Sequence, residues 1–213
     1  MSRNLALAIV LLVASSFFWS GNFFSGKVAF LTNLTPFKLS FFRWILALLI
    51  LLPFTYNQII KDLDYYRKNI LLMTIISILG VTFFNSFTYI SLQSSMVINS
   101  TLMASIAPVM MIGFSWLIFR TKTTKPQFAG IVLSLIGAFS IILKGSLNNL
   151  FNLYFTSGDL WMIAAVISWC LYSVLLKKID SKTSQLANLE VMIIIGIIFI
   201  TPFYIFESVN STY

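Results

Sequence analysis

The residue of this sequence with the clearest chemical potential is Arg43, a permanent cation inside the apolar stretch SFFRWILALLILLPF. An arginine at the centre of a membrane helix costs roughly 2.5 to 3.5 kcal/mol on insertion scales, which the following leucines and isoleucines can offset. Ser40 and Ala47 share its helical face and are small, so this face is expected to meet protein or water. The planar guanidinium could hold a substrate carboxylate through two hydrogen bonds, or it could tie helix ends together through main-chain carbonyls.

Further polar and aromatic side chains lie inside apolar runs, where an unpaired polar group is costly and therefore faces protein or a cavity. Trp19 and Asn22 share one helical face of the first run, and Asn85 and Tyr89 share one face of the third. Each pair indicates either a substrate cavity or the contacts that hold membrane helices together. The full set of candidate cavity residues is Trp19, Asn22, Arg43, Asn85, Tyr89, Asn99, Met103, Trp169 and Tyr172.

Three residues of the fourth and seventh runs have interpretations of their own. Met103, one turn beyond Asn99, has a thioether that adapts to ligands of different shape, although core packing is the commoner use of methionine. Pro108 frees a carbonyl in mid-helix and predicts a hinge, although prolines are also tolerated in membrane helices. Glu190 is a candidate for proton coupling, but it lies about 6 Å from the inner helix end and could instead reach the interface.

The composition narrows the class of protein. The 213 residues are 59% hydrophobic and 9% charged, whereas about a quarter of the residues in soluble domains are charged. The sequence has no histidine and one cysteine, so it offers no raw material for histidine- or cysteine-based metal sites, and neither a cofactor nor an enzyme activity is expected. The net charge of +8 comes from residues between apolar runs, which argues against a nucleic-acid partner. The expected partners are the lipid bilayer and a small metabolite.

The apolar runs approach the roughly 20 residues that a helix needs to cross hydrocarbon. Only helices and closed barrels satisfy their own main chain there, and runs this continuous are typical of helices. The sequence therefore predicts an all-α, polytopic membrane bundle. The seven predicted helices are 4–26, 36–56, 69–91, 95–119, 126–144, 159–177 and 186–206.

Lysine and arginine fall mostly on one side of this predicted bundle. With a cytoplasmic N-terminus, ten of the 14 basic residues lie in cytoplasmic segments. Only Lys27, Lys38 and Lys144 lie on or near the outer side, and the fourteenth, Arg43, lies within the membrane. Cytoplasmic loops of membrane proteins are enriched in these residues. We therefore expect a multi-pass protein of the cytoplasmic (inner) membrane with its N-terminus in the cytoplasm.

The first two predicted helices recur as the sixth and seventh. A shift of 150 residues sets Trp19 on Trp169 and Lys27 on Lys177. Five helices separate the starts of the two copies, so the second enters the membrane from the opposite side, as in the inverted repeats of secondary transporters; chance similarity is the alternative. The predicted division is a first five-helix repeat at 1–145, an extracytoplasmic linker at 146–157, and the first two helices of a second repeat at 158–213.

Several stretches resemble one known family, the EamA-like branch of the drug/metabolite transporter superfamily. The resemblance implies ten helices in two inverted halves of five, and carriers that move small organic metabolites such as amino acids, often outward, across a cytoplasmic membrane. The similar stretches are FFWSGNFFSGKVA (17–29), FFRWILALLILLP (41–53), YISLQSSMVINSTLMASIAPVMM (89–111), QFAGIVLSLIGAFSIIL (127–143) and GDLWMIAAVISWCLYSVLLKK (158–178).

Two departures from the family pattern bear on function. Many members carry Gly-Glu after the fourth helix, where this chain has Arg120-Thr121, which puts any role of that acidic residue in doubt. Helices eight to ten of the family are also absent. The alternative to a carrier is thus a non-transporting membrane subunit or partial gene product, whose partner would be a second copy or the missing C-terminal helices.

Overall fold

The computed structural model describes residues 3–121, 124–142 and 156–210, and nearly all of them are helical. Within these described residues, six helical spans are long and apolar enough to cross a membrane, so the predicted all-α membrane bundle is confirmed with six such spans in place of seven. The predicted linker 146–157 lies almost wholly outside the described residues. The α-helices are α1 (Arg3–Leu31), α2 (Pro36–Lys61), α3 (Leu63–Lys68), α4 (Ile70–Ser77), α5 (Phe84–Ser94), α6 (Val97–Ala104), α7 (Ala107–Phe119), α8 (Lys125–Ile142), α9 (Ser157–Leu175) and α10 (Gln185–Asn210).

The seventh predicted span is α8, which corresponds to the prediction 126–144. Its described part has 18 residues, at the short end of the length that crosses hydrocarbon. It is not one of the six spans that meet the length and hydropathy requirement within the described residues.

Local sequence signals explain where several helices begin. Pro36 occupies the first turn of α2, where its missing N–H costs nothing because first-turn amides have no partner within the helix. Thr156 and Asp159 form a reciprocal cap at the start of α9, in which the Thr156 main-chain N–H donates to Asp159 Oδ2 at 2.7 Å. Asp159 also accepts a hydrogen bond from Ser95 Oγ at 2.7 Å, which ties this helix start to the end of α5.

Two predicted helices are interrupted in the structure. A π-helical segment, Ile78–Phe83, separates α4 from α5 within the predicted helix 69–91. The predicted helix 95–119 breaks between α6 and α7 at Ser105 and Ile106, so Pro108 lies in the first turn of a new helix. Proline cannot donate a main-chain hydrogen bond, which explains why the break lies just before it.

The residue that follows α7 takes a conformation that usually belongs to glycine. Arg120 caps the helix with φ 56° and ψ 28°, in the left-handed region. Glycine adopts this region without steric cost, and it is the commonest residue at such helix ends. Arg120 thus adopts a main-chain conformation that glycine usually supplies at a helix end.

The described helices bury two apolar cores. One lies where α5 meets α9 and includes Phe84, Leu92, Met162 and Cys170. The other lies where α10 meets α2 and α4; its members include Met73, Ile76, Met192, Ile193 and Ile200. The helices α1, α2 and α5 contact one another beside these cores and supply the polar residues described next.

Candidate functional site

Arg43 lies at the centre of a hydrogen-bonded network that joins three helices. Its Nη1 donates to Asn85 Oδ1 at 2.9 Å and to the Tyr89 hydroxyl at 2.6 Å, both on α5. The same nitrogen donates to Asn22 Oδ1 on α1, which also accepts a hydrogen bond from the Tyr89 hydroxyl at 2.7 Å. The structure thus brings together four residues that the sequence places on three separate predicted helices.

The positive charge of Arg43 is not balanced by a negative charge within the network. All three hydrogen-bond acceptors of Arg43 in the described part of the chain are neutral, and each is bonded through Nη1. A guanidinium carries five N–H donors, so those on Nη2 and Nε have no acceptor among the described residues. Asn85 and Tyr89 are buried, whereas Arg43 is exposed. The network engages Nη1, and the centroid of the Trp44 ring lies 5.5 Å from the guanidinium carbon, so Nη2 and Nε are the donors that a ligand could use.

Arg43 also lines a cavity of about 350 Å³. The rings of Trp19 and Trp169 are 5.3 Å apart between centroids and tilted by 53°, and both line the cavity. A wall of two indoles beside a cation suits an amphipathic solute with one anionic and one flat apolar end. The residues that line the cavity are Ser15, Phe18, Trp19, Asn22, Arg43 and Trp169.

A second cavity, of about 300 Å³, lies on the other side of the same indole pair. It contains the hydroxyl-bearing residues Ser16, Ser20, Thr101 and Ser105 together with apolar side chains. Because Trp19 and Trp169 line both cavities, the pair forms the boundary between a cationic compartment and an uncharged, hydroxyl-containing one.

The π-helical segment positions the α5 end of the site. Asn85 Nδ2 donates to the Gly80 carbonyl at 3.4 Å, and Trp44 Nε1 on α2 donates to the Val81 carbonyl at 3.1 Å. Carbonyls displaced from regular α-helical bonding are satisfied in this way by side chains, and short π segments in helices often lie at functional sites. The π-helical segment therefore fixes the main chain at the start of α5 and the side-chain amide of Asn85, which contacts Arg43.

Tyr172 packs beside the site and does not line the cavity at Arg43. Its ring lies 5.1 Å from that of Trp169, and it covers the π-helical segment at Gly80. A Cβ atom added at Gly80 would lie 2.3 Å from the Tyr172 ring. Only glycine allows this approach, so Gly80 and Tyr172 together set the position of Trp169.

The structure places the remaining predicted site residues elsewhere. Asn99 is half-buried on α6, and Met103 packs against the core between α5 and α9; neither lines the cavity at Arg43. Pro108 lines a separate cavity of about 520 Å³ between α7, α8 and α9. Glu190 is fully buried on α10 and belongs to a different part of the bundle.

Two aromatic residues of the site carried no sequence signal. Phe18 lines the cavity, and the Phe84 ring lies 4.6 Å from that of Trp169. Phenylalanine occurs 21 times in the chain, so its presence in an apolar run distinguishes no position.

Comparison with known proteins agrees with a helical carrier. The sequence model of the EamA-like transporter family matches residues 6–143, which include α1, α2, α5 and the whole Arg43 network. The chain belongs to the EamA-like transporter family. No solved structure matches it. Membership agrees with the six apolar spans found in the described part of the chain, which make this a multi-pass membrane protein.

Individual EamA-like relatives have names that give no substrate. The chain is 26% identical over 162 residues to the uncharacterized transporter YyaM of Bacillus subtilis, covering 76% of this chain and 52% of that protein. It is 26% identical over 202 residues to an uncharacterized transporter of Archaeoglobus fulgidus, covering 94% and 66% respectively. An uncharacterized transporter of Acidianus ambivalens is 30% identical over 174 residues, with 79% and 62% covered. The chain spans about half to two thirds of the length of these relatives.

Proposed function

We propose that this chain builds the substrate site of a secondary carrier that exports small organic metabolites with a carboxylate group, such as amino acids, across the cytoplasmic membrane. The observation that carries the proposal is the Arg43 guanidinium, which has only neutral hydrogen-bond partners among the described residues and lines a cavity. A cation within a membrane span is costly unless an anion or water compensates it. A substrate carboxylate would supply that compensation.

The geometry favours a carboxylate over a simple inorganic anion. A guanidinium presents parallel N–H groups that match the two oxygens of a carboxylate, whereas a lysine offers only a point charge. The indoles of Trp19 and Trp169 add flat apolar surface within the same cavity. An amino acid with a large or aromatic side chain would use both features, with its carboxylate on Arg43 and its side chain on the indole pair.

The inverted repeat supports a carrier mechanism in this proposal. Trp19 and Trp169 are equivalent under the 150-residue shift, and contact between equivalent residues is what a two-fold axis through the site would produce. The break between α6 and α7 beside Pro108 is the proposed hinge, because its main chain lacks continuous helical bonding. We infer a cytoplasmic N-terminus, and outward transport, from the basic-residue distribution and the family resemblance.

A second candidate function is that of a membrane subunit that binds the solute and needs a partner to transport it. Its support is the coverage of the relatives, since the chain spans 52% of one and 66% of another. Binding without flux would distinguish this candidate from a self-sufficient carrier.

The experiment compares L-phenylalanine with L-phenylalaninamide, which has nearly the same shape and lacks the carboxylate. The full chain is reconstituted in liposomes, and flux of both probes is measured beside thermal stabilisation by each probe in detergent. We expect the acid to bind and to cross, and the amide to do neither. Arg43→Leu should lower acid binding at least about tenfold and Arg43→Lys by less, because lysine keeps the charge and loses the fork.

The interpretation depends on folded variants. Both Arg43 variants must reach the abundance of the unmodified chain in the membrane. Equal binding of acid and amide by the unmodified chain, or unchanged acid binding in Arg43→Leu, would show that Arg43 is only a tie between helices.

A further inference from the structure

Glu190 on α10 is a carboxyl group without any hydrogen-bond partner. The residue is 0% exposed, and neither Oε1 nor Oε2 has an acceptor or donor within reach in the described part of the chain. The Arg43 site does not use it, since Glu190 does not line that cavity and lies on α10, which packs against α2, α4 and the π-helical segment. A buried ionised carboxylate with neither a counter-charge nor hydrogen bonds costs several kcal/mol, so this environment accepts Glu190 only as the neutral acid.

The register of the helices shows the depth of Glu190. The start of α2 lies against the end of α10, because Phe37 stacks on Phe203 at 5.0 Å and its main-chain N–H donates to Glu207 Oε2 at 2.9 Å; this is the proposed outer end. Glu190 is five residues from the start of α10, or about 7.5 Å at 1.5 Å per residue. The group therefore lies below the inner surface, within one and a half turns of it.

A layer of hydrogen bonds separates Glu190 from the inner aqueous phase. The Tyr66 hydroxyl on α3 donates to Asn188 Oδ1 at 2.9 Å, and Asn188 Nδ2 donates to Thr183 Oγ1 at 2.9 Å. The Tyr65 hydroxyl accepts from the Asp180 main-chain N–H at 2.9 Å. These bonds join α3 to the α9–α10 connection and so close the inner end of α10.

The ionisable groups on the helices that pack against α10 provide no counter-charge for an ionised Glu190. Helix α4 and the π-helical segment contain none, and the Tyr66 hydroxyl is engaged with Asn188. On α2, Tyr56 and Lys61 are exposed on the surface, and no hydrogen bond joins either to Glu190 among the described residues. Lys38 and Arg43, also on α2, lie toward its outer end. If residue 190 had only a structural role as a neutral side chain, glutamine would serve equally well, because it has the same shape and no proton to exchange.

We propose that Glu190 is a proton-binding site that exchanges with the inner aqueous phase when α10 separates from α3. This proposal does not rest on the proposed transport function. In the step, one carboxylate oxygen of hydrated Glu190 takes one proton from a hydronium ion, which leaves as water, and the neutral acid is then buried as α10 closes. Opening of the inner end hydrates the group again and returns the proton to a water molecule.

Infrared spectroscopy of the full chain in liposomes tests the proton site without any substrate. The spectrum is followed from about pH 5 to about pH 9, across the range in which buried carboxylic acids titrate. We expect a carboxylic-acid carbonyl band that declines as the pH rises and is missing from Glu190→Gln. The matched control is Glu207→Gln, which should retain the band, because Glu207 Oε2 already accepts the Phe37 and Lys38 main-chain N–H groups.

Two infrared results would overturn the proton site. Identical spectra for the unmodified chain and Glu190→Gln would mean that Glu190 is ionised throughout. A band that never declines would mean a permanently protonated structural group.

Discussion

Trp19 and Trp169 hold their ring centroids 5.3 Å apart although 150 residues separate them in the chain. The contact joins α1 to α9, and it lies beside the guanidinium of Arg43 in one cavity. Two helices that resemble each other in sequence thus place the same residue type at one site. The inverted repeat would place the pseudo-two-fold axis between these two indoles, and the repeat itself stays a prediction.

The position of this indole pair depends on the glycine of the π-helical segment. Gly80→Ala would place a Cβ atom 2.3 Å from the Tyr172 ring, which packs on Trp169. Overpacking of this kind typically costs about 1 to 3 kcal/mol. We expect a lower midpoint of thermal unfolding in detergent for this variant.

The control for that variant is Gly21→Ala on α1. A Cβ atom at Gly21 meets nothing within 4 Å, and alanine favours a helix over glycine by up to about 1 kcal/mol. Its midpoint should stay the same or rise. A similar loss of stability in both variants would show that Gly80 is not specially packed.

The chain should lose stability at alkaline pH through Tyr66. Burial raises the pKa of Tyr66 to about 12 from a normal value of 10, with Asp62 and Tyr65 adding to the shift. Because the folded chain then holds its proton more tightly than the unfolded chain, the stabilisation is complete below pH 10 and is lost as the pH rises toward 12. Unfolding midpoints measured across this range should decline.

Tyr66→Phe removes the ionisable group and leaves Asn188 Oδ1 without its donor. We expect this variant to be less stable at neutral pH by about 1 kcal/mol and to have a flatter alkaline profile. Tyr56→Phe, at an exposed position of α2, serves as the control and should keep the profile of the unmodified chain. An alkaline decline that persists undiminished in Tyr66→Phe would assign the effect to another group.

The orientation of the chain is open to a labelling test. In a Cys170→Ala background, which removes the buried native thiol, single cysteines replace the exposed residues Asp64 and Thr32. A membrane-impermeant maleimide added to intact cells should label Thr32→Cys and spare Asp64→Cys until the membrane is opened, because basic residues favour the cytoplasmic side. The reverse pattern would invert the proposed topology.

The sequence predicted the spans better than their irregularities. The prediction 36–56 corresponds to α2, Pro36–Lys61, because a proline start and a long apolar run are local signals. The π-helical segment Ile78–Phe83 was not predicted, since its residues are as apolar as their neighbours and no periodicity marks the change in hydrogen bonding. A hinge was predicted at Pro108 within one helix and stays a prediction; the structure instead breaks the helix two residues upstream, which follows from the hydrogen bond that proline cannot make.

The candidate site was predictable as separate residues and not as a network. Helical spacing places Asn22 on one face and Asn85 with Tyr89 on another, but it does not say which faces meet. Their convergence on Arg43 depends on how α1, α2 and α5 pack, which is a matter of long-range shape. Asn99 was selected because it is a polar residue within an apolar run, but it does not line this cavity. That criterion identifies polar residues inside the bundle and does not show which of them share a site.

The central claim, that Arg43 binds a carboxylate, is tested most directly by Asn22→Asp. Aspartate has the shape of asparagine and can still accept the hydrogen bonds from Arg43 and Tyr89, but its charge would neutralise the guanidinium. If Arg43 only ties helices together, this change should leave the chain at least as stable. The matched control is Asn57→Asp, the same substitution at an exposed position of the same helix as Arg43.

The measurement is the dissociation constant of L-phenylalanine for the two variants and the unmodified chain, with thermal stability recorded for each. Our account predicts binding at least about tenfold weaker in Asn22→Asp, with stability retained and with Asn57→Asp unchanged. Undiminished binding in a stably folded Asn22→Asp would contradict it.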